Sequence, residues 1–384
     1  MKKLIAFLLL FALLVSFKVN ASAAEGTSAQ ASVTVNIKAK SALLIEAETG
    51  TILYEKNKDE RLAPASVTKI MTLLLVVEAI EDDRIKITDE VVISKHAASM
   101  GGSQVFLEEG ERMTVEELLK CTVIASANDA AVALAELIYG SEGAFVDIMN
   151  KRAIELGLQN TNFENATGLD DDTKAHYTSA YDIATMSRYL IRYDLITKYA
   201  SLWQDTIRNG EFTLTNTNRL VRYYDGCNGL KTGSTDKAGY CISAAAKRDG
   251  MQLIAVIMGA ETRDERNEAA RALLDYGFSN YSIYSEDEKI VEEIRVTKGK
   301  VDKLIAYSTK FETVIEKGKI KKINLVYDIP EYLSAPVVEN EVIGKIIYEI
   351  DGVKIGESDI FVKCGSDKLS YFDIFIRLIK NIFS

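Results

Sequence analysis

The sequence predicts an α+β fold: an antiparallel sheet combined with helices, followed by a small all-β domain. Three observations carry this. Strand patterns sit at both ends of residues 38–281, with helical patterns between them. The late strands are joined by connections too short for parallel crossovers. Beyond Ser285 apolar and charged residues alternate in short pieces separated by Gly and Lys. The order strands, helices, strands, helix requires the first strands to join the last ones across a helical insertion.

The elements follow in chain order. "SALLIEAETGTILYEKN" from Ser41 places apolar segments around Glu48-Thr49-Gly50, a hairpin signal. "LAPASVTKIMTLLLVV", Leu62 to Val77, reads as a buried helix, apolar from Ile70 to Val77 except for Thr72. Met113–Tyr139 is helical with a break near Ala125–Asn128, and Gly140 ends it. Further helices are expected at Ala144–Leu156 and Ala180–Tyr193. "GLKTG", "GYCISAAAK" and "MQLIAVIMG" return to strand character. "RDERNEAARALLDYGF" closes the unit as an amphipathic helix with Ala269, Ala272, Leu273 and Tyr276 inward.

The ends differ from the body. Lys2, Lys3, the apolar run Leu4–Val15 and Ala21-Ser22-Ala23 fit a secretory signal, expected over residues 1–24. A retained membrane anchor is the alternative, although the run is shorter than the ~20 residues of a spanning helix. Glu25–Val33 is small and polar and is expected to be disordered. The domains expected are thus residues 25–284, a β domain over 285–367 and a terminal helix over 368–384. In that helix Ser370, Asp373, Arg377, Lys380, Asn381 and Ser384 share one face, and Phe372, Phe375, Ile376, Leu378, Ile379, Ile382 and Phe383 fill most of the rest. Fifteen residues span about 22 Å, too short to cross a bilayer. The helix can lie in the membrane interface or pack on the protein's own surface.

The chain has 384 residues, 47% hydrophobic composition and a net charge of −10. That balance argues against a nucleic-acid partner, which needs clustered Lys and Arg. The four cysteines (Cys121, Cys227, Cys241, Cys364) fit neither a disulfide scaffold nor a metal site. With Gly233 near Gly239, Cys241 faces about Lys231 rather than Cys227, so free, buried thiols are expected. No His/Cys/carboxylate spacing suggests a metal or other cofactor. His96 and His176 lie in polar segments, outside any nucleophile-elbow motif.

Three short stretches carry candidate chemistry. Ser66 and Lys69 stand one turn apart at the head of the buried helix, behind Pro64. There the helix N-terminus favours a developing oxyanion, and desolvation favours the neutral lysine a base must be. The bland alternative is a capped buried helix. Ser126 and Asn128 in "IASANDAA" fall at a helix break, which is also an ordinary place for an N-cap. Lys231 and Thr232 alternate on a strand, and Gly233 permits close backbone approach. A second Ser-x-x-Lys, Ser234–Lys237, rivals the first.

In this order the three stretches resemble the motif set of the penicillin-recognising serine acyltransferases. "APASVTKIMT", "IASANDAA", "GLKTGSTDKAGY" and "LIAVIMGAETRDERNEAARALLDYGF" resemble, more narrowly, the D-alanyl-D-alanine carboxypeptidases among the low-molecular-mass penicillin-binding proteins. The resemblance implies a sheet with helices on both faces, a helical subdomain, no cofactor and work outside the cytoplasm at the membrane surface. It implies peptidoglycan stem peptides as substrate and β-lactams as inhibitors. Ser66 would be the nucleophile and Lys69 its base, with the N–H groups of Ser66 and Ser234 as oxyanion hole. Ser126, supported by Lys231, would relay a proton to the leaving amine, and Asn128 would hold the substrate's amide. Thr232 and Arg266 would receive the terminal carboxylate. Ser234 departs from the bulkier residue common in relatives, so its side chain has no implied role. Under this resemblance Ser234–Lys237 is the turn after the strand, and His176 belongs to a structural loop. A β-lactamase and a wall-binding scaffold with a decayed site remain the other readings.

Overall fold

Strand β1, Ser41–Glu46, is buried along its whole length, which a strand needs partners on both edges and both faces to achieve. The computed structural model, which describes residues 35–170 and 173–383, supplies them. β1 pairs with β2 (Ile52–Lys56) on one edge and with a late strand, β5 (Met251–Ala260), on the other. The five-stranded sheet has the order β2-β1-β5-β4-β3, where β3 is Cys227–Thr235 and β4 is Gly239–Arg248, all antiparallel. The signal sequence and the Glu25–Val33 stretch lie outside the described residues.

Side-chain parity explains the continuous apolar runs. Leu43, Ile45, Ile254, Val256 and Met258 enter the main core with the helices of the insertion. Leu44 and Leu253 point the other way and meet Gly277. That glycine lies on helix α6 (Arg263–Asn280), whose buried apolar residues are Ala269, Ala270, Leu273, Leu274 and Phe278. The inward stripe thus replaces Ala272 and Tyr276 with Ala270 and Leu274, because α6 packs across two strands rather than along a narrow seam.

The insertion is helical: α1 (Lys69–Glu81), α2 (Val115–Lys120), α3 (Asn128–Tyr139), α4 (Glu142–Glu155) and α5 (Ala180–Leu190). Helix α1 is central, with ten of its residues buried, including Lys69 and Thr72. Gly140 ends α3 at φ +79, as its position predicts. Met113 belongs to a short strand, and α2 begins two residues later behind a Thr114–Glu117 capping box.

The β3–β4 hairpin is tighter than the sequence suggests. Thr235 pairs with Gly239, which puts Cys241 opposite Gly233 and Ser243 opposite Lys231. The expected pairing of Cys241 with Lys231 is therefore two residues out. All four cysteines are free thiols, and Cys364 is exposed rather than buried.

Beyond α6 the chain turns directly into a strand at Tyr281, four residues earlier than the composition change. A six-stranded and a two-stranded sheet enclose two small cores, one around Ile294 and Val362 and one around Phe311 stacked on Tyr348. The last helix, α7, is Tyr371–Phe383. Arg377 on its polar face donates to Asp302 Oδ1 and to the Lys300 carbonyl, while Phe372, Phe375 and Leu378 stay more than half exposed. Among the described residues no helix is long and apolar enough to cross a membrane.

Candidate active site

Ala65–Thr68 forms a 3-10 turn that leads into α1, and Ala65 enters it at φ +49. In a 3-10 turn residues three apart eclipse one another. Lys69 consequently stands over Ser66, with Nζ 3.0 Å from Oγ. Ser66 lies in this tightened turn ahead of α1 rather than in its first α-helical turn.

The remaining contacts of Lys69 define its state. Nζ donates to Asn128 Oδ1 at 2.6 Å and to the Thr167 carbonyl at 2.8 Å, and the side chain is fully buried. Burial drives its pKa well below the lysine range, the charge of Lys231 adds to this, and Asp129 opposes it. A neutral amine has two N–H groups, which these two oxygens accept. Its lone pair is left for the hydroxyl of Ser66. Asn128 Nδ2 donates to the Gly101 carbonyl, which fixes the amide's oxygen toward Lys69. The backbone N–H groups of Val105 and Leu107 donate to Asp129, tying their loop to the start of α3.

Between α2 and α3 the chain makes one wide π turn over Cys121–Ala125, and Ser126 follows in the left-handed region at φ +63. The position costs energy for a non-glycine residue and aims the side chain out of the helical path. Ser126 Oγ is buried and has no hydrogen-bond partner among the described residues. The helix cap is Ala127, without a side-chain bond, so neither Ser126 nor Asn128 serves as an N-cap.

Strand β3 forms the opposite wall. A Cβ on Gly233 would lie 2.7 Å from Ser66 N and 2.9 Å from Val67 N, so only glycine lets the strand approach the nucleophile's turn this closely. Lys231 is buried, with one bond to the Thr232 carbonyl. Desolvation first, and Arg266 second, bring its pKa down to about 7. Thr232 Oγ1 donates to Thr217 Oγ1 at 2.7 Å. Arg266, on the first turns of α6, is buried and donates to Asn267 Oδ1.

Ser66, Ser126, Thr232, Gly233, Ser234 and Arg266 line one cleft of about 630 Å³. Lys69, Asn128 and Lys231 stand behind its walls. The cleft also takes in Ser103, Trp203, Thr217, Arg219, Tyr223 and Arg263, which sequence reasoning missed. No motif marks them; the closely spaced asparagines of "TNTNR" are the only signal. Sequence reasoning also missed the Thr167 carbonyl, since a backbone acceptor has no residue signature.

Other candidates lie elsewhere. His176 is buried below the site: Glu164 N–H donates to Nδ1, so Nε2 carries the proton and donates to Thr68 Oγ1. His96 is exposed and pairs with Glu142. Neither histidine lines the cleft, so neither completes a triad with Ser66. Lys237 is exposed in the β3–β4 turn. Among the described residues no group of His, Cys, Asp and Glu could hold a metal ion.

Comparison with known proteins gives the same direction. A family profile described as D-alanyl-D-alanine carboxypeptidase matches residues 25–262, and one described as penicillin-binding protein 5, C-terminal domain, matches residues 278–366. D-alanyl-D-alanine carboxypeptidase DacF of Bacillus subtilis (strain 168) is 43% identical over 98% of this chain and 98% of its own. Penicillin binding protein 5 from Haemophilus influenzae superposes with a TM-score of 0.78 at 33% identity, covering 87% of this chain and 99% of that one. Penicillin-Binding Protein D2 from Listeria monocytogenes, solved in its ampicillin-bound form, superposes with a TM-score of 0.59 at 30% identity. It covers 64% of this chain and 99% of its own.

Proposed function

The chain belongs to the D-alanyl-D-alanine carboxypeptidase family of serine peptidases, and from that premise we propose that Ser66 carries its chemistry through an acyl-enzyme. The observation that carries the assignment is the contact of the fully buried Lys69 Nζ with Ser66 Oγ at 3.0 Å.

The steps follow from the site. Lys69 Nζ takes the hydroxyl proton as Ser66 Oγ bonds to the carbonyl carbon of the penultimate D-alanine. The N–H groups of Ser66 and Ser234 hold the resulting oxyanion, in the gap that Gly233 keeps open. Collapse breaks the C–N bond, and the leaving D-alanine nitrogen receives a proton through Ser126, whose unpartnered hydroxyl suits a relay supported by Lys231. Thr232 and Arg266 hold the terminal carboxylate, and Asn128, behind the cleft wall with both ends of its amide engaged, orients Lys69 rather than holding the substrate's amide. Water then cleaves the ester, returning a shortened stem peptide and free Ser66. A β-lactam forms the same ester by ring opening and keeps its amine tethered, which delays hydrolysis.

The working place we assign is outside the cytoplasm, on the outer face of the membrane. The signal at residues 1–24 directs export, and the terminal helix attaches the protein to the lipid surface through Phe372, Phe375 and Leu378. Their exposure supports this, as does the engagement of Arg377 with Asp302 on the polar side.

Two measurements test these assignments. A fluorescent penicillin should label the purified protein stably, Ser66→Ala should abolish the label, and a diacetyl-Lys-D-Ala-D-Ala peptide should release D-alanine. Labelling that survives Ser66→Ala would sink the nucleophile assignment. Adduct turnover within seconds would favour a β-lactamase, and no label with no release would favour a scaffold. Deleting residues 370–384 should move the protein from membrane to soluble fractions, and unchanged fractionation would remove the anchor.

A further inference from the structure

The far end of the cleft holds more positive charge than one terminal carboxylate can use. Arg219 and Arg263 line the cleft together with Arg266, and among the described residues none of the three is in an ion pair. This occurs in a chain with 56 acidic and 46 basic residues, where unpaired arginines concentrated at one spot need a reason. Helix stability does not supply it. Arg263 is the first residue of α6, where the helix dipole disfavours a cation.

The side chains of Arg219 and Arg263 are both exposed to the cleft, and the backbone that carries Arg219 is held firmly. Arg219 sits between anchored neighbours: Asn216 holds the Ala200 and Leu202 carbonyls, and Asn218 holds the Gly229 carbonyl. The Asn218 side chain also accepts from Leu220 N–H. Arg222 lies over the rings of Trp203 and Tyr223, which wall this end of the cleft. Burial, then the charges of Arg263 and Arg219, bring the pKa of Arg266 down to about 10, which leaves it a cation whose repulsion an anionic ligand relieves.

We propose that Arg219 and Arg263 form a second carboxylate subsite beyond Arg266, so that the cleft accepts a leaving amino acid carrying a second carboxylate besides its α-carboxylate. The inference rests on the reading of Ser66 as the acyl-transfer nucleophile. The amide broken is the same, and only the group that departs with the amine is larger. Arg266 takes the α-carboxylate, and the second carboxylate bridges Arg219 and Arg263.

Two peptides of equal shape separate charge from size: diacetyl-Lys-D-Ala-D-Glu and diacetyl-Lys-D-Ala-D-Gln. The wild-type protein should favour the D-Glu peptide by about tenfold in kcat/KM at low salt, mainly through KM, and less so at high salt. In the double variant R219Q/R263Q the ratio should fall to about one. Fluorescent penicillin labelling of that variant reports that Ser66 and its surroundings remain assembled. Equal cleavage of the two peptides by the wild type overturns the subsite, as does a ratio that persists in the double variant. Cleavage of D-Ala-D-Ala but of neither longer peptide also overturns it, by showing no room for the larger group. Failure to release D-alanine from D-Ala-D-Ala instead overturns the carboxypeptidase reading, and this inference with it.

Discussion

Asn128 Oδ1 lies 2.6 Å from Lys69 Nζ, nearer than the Ser66 hydroxyl at 3.0 Å. The amide therefore helps decide which way the amine's lone pair points. Asn128→Asp exchanges this neutral acceptor for a carboxylate, which raises a neighbouring amine's pKa by about 1–3 units. Penicillin acylation at pH 7 should fall at least about tenfold and recover as the pH is raised. Stopped-flow labelling from pH 6 to 10 checks this, and a profile superimposable on the wild type would refute it.

Gly233→Ala should act on both the transition state and the fold. Its Cβ would stand 2.7 Å from Ser66 N, so β3 or the turn must move apart. Loss of one oxyanion donor costs about 10²-fold or more in rate. Acylation should drop by that order, and the melting temperature should fall too, because the atoms that must give way are backbone nitrogens. Acylation within about twofold of wild type would show that the N–H of Ser66 is not used.

Lys231 illustrates a group whose burial costs stability for the sake of chemistry. Its folded pKa of about 7 lies below the unfolded lysine value, so the unfolded chain binds more protons between the two. Stability from this site therefore rises with pH from about 7 toward 10.4. Lys231→Met removes the dependence. The variant should be the more stable protein at pH 6, with the advantage shrinking by pH 9, and should lose most of its acylation activity. Thermal melts at both values decide it; a variant less stable at pH 6 than at pH 9, relative to wild type, would contradict the argument.

His176 should confer acid sensitivity. Burial lowers its pKa to about 4, against the opposing charge of Glu164. The unfolded imidazole titrates near 6.5, so this contribution is complete above that pH and is lost as the pH falls toward about 4. The full shift is worth about 3 kcal/mol. His176→Leu should lower the neutral-pH plateau, because Thr68 and Glu164 N–H lose their partner, yet flatten the slope between pH 6.5 and 4. Denaturant titrations across that range measure both effects, and an unchanged slope would assign the acid sensitivity to other groups.

The amino-acid sequence alone determined the features that near neighbours decide. The hairpin around Glu48-Thr49-Gly50, the helix ended by Gly140 and the apolar run of α1 follow from local pattern and from residues with special backbone freedom. Ser66, Ser126, Thr232, Gly233, Ser234 and Arg266 were legible as cleft residues because their motifs recur as units. Tertiary structure decided the rest. The two-residue difference in the β3–β4 register came from a turn whose closure depends on Ala238 N–H donating to Thr235 Oγ1. The left-handed Ser126 depends on the π turn before it. Arg219, Arg263 and Trp203 reached the cleft only through packing. The state of Lys69 needed chain folding most of all, since its acceptors Asn128 and Thr167 lie 59 and 98 residues away. Desolvation and charge act through space, and a motif records which groups are present without recording how dry or how close they become.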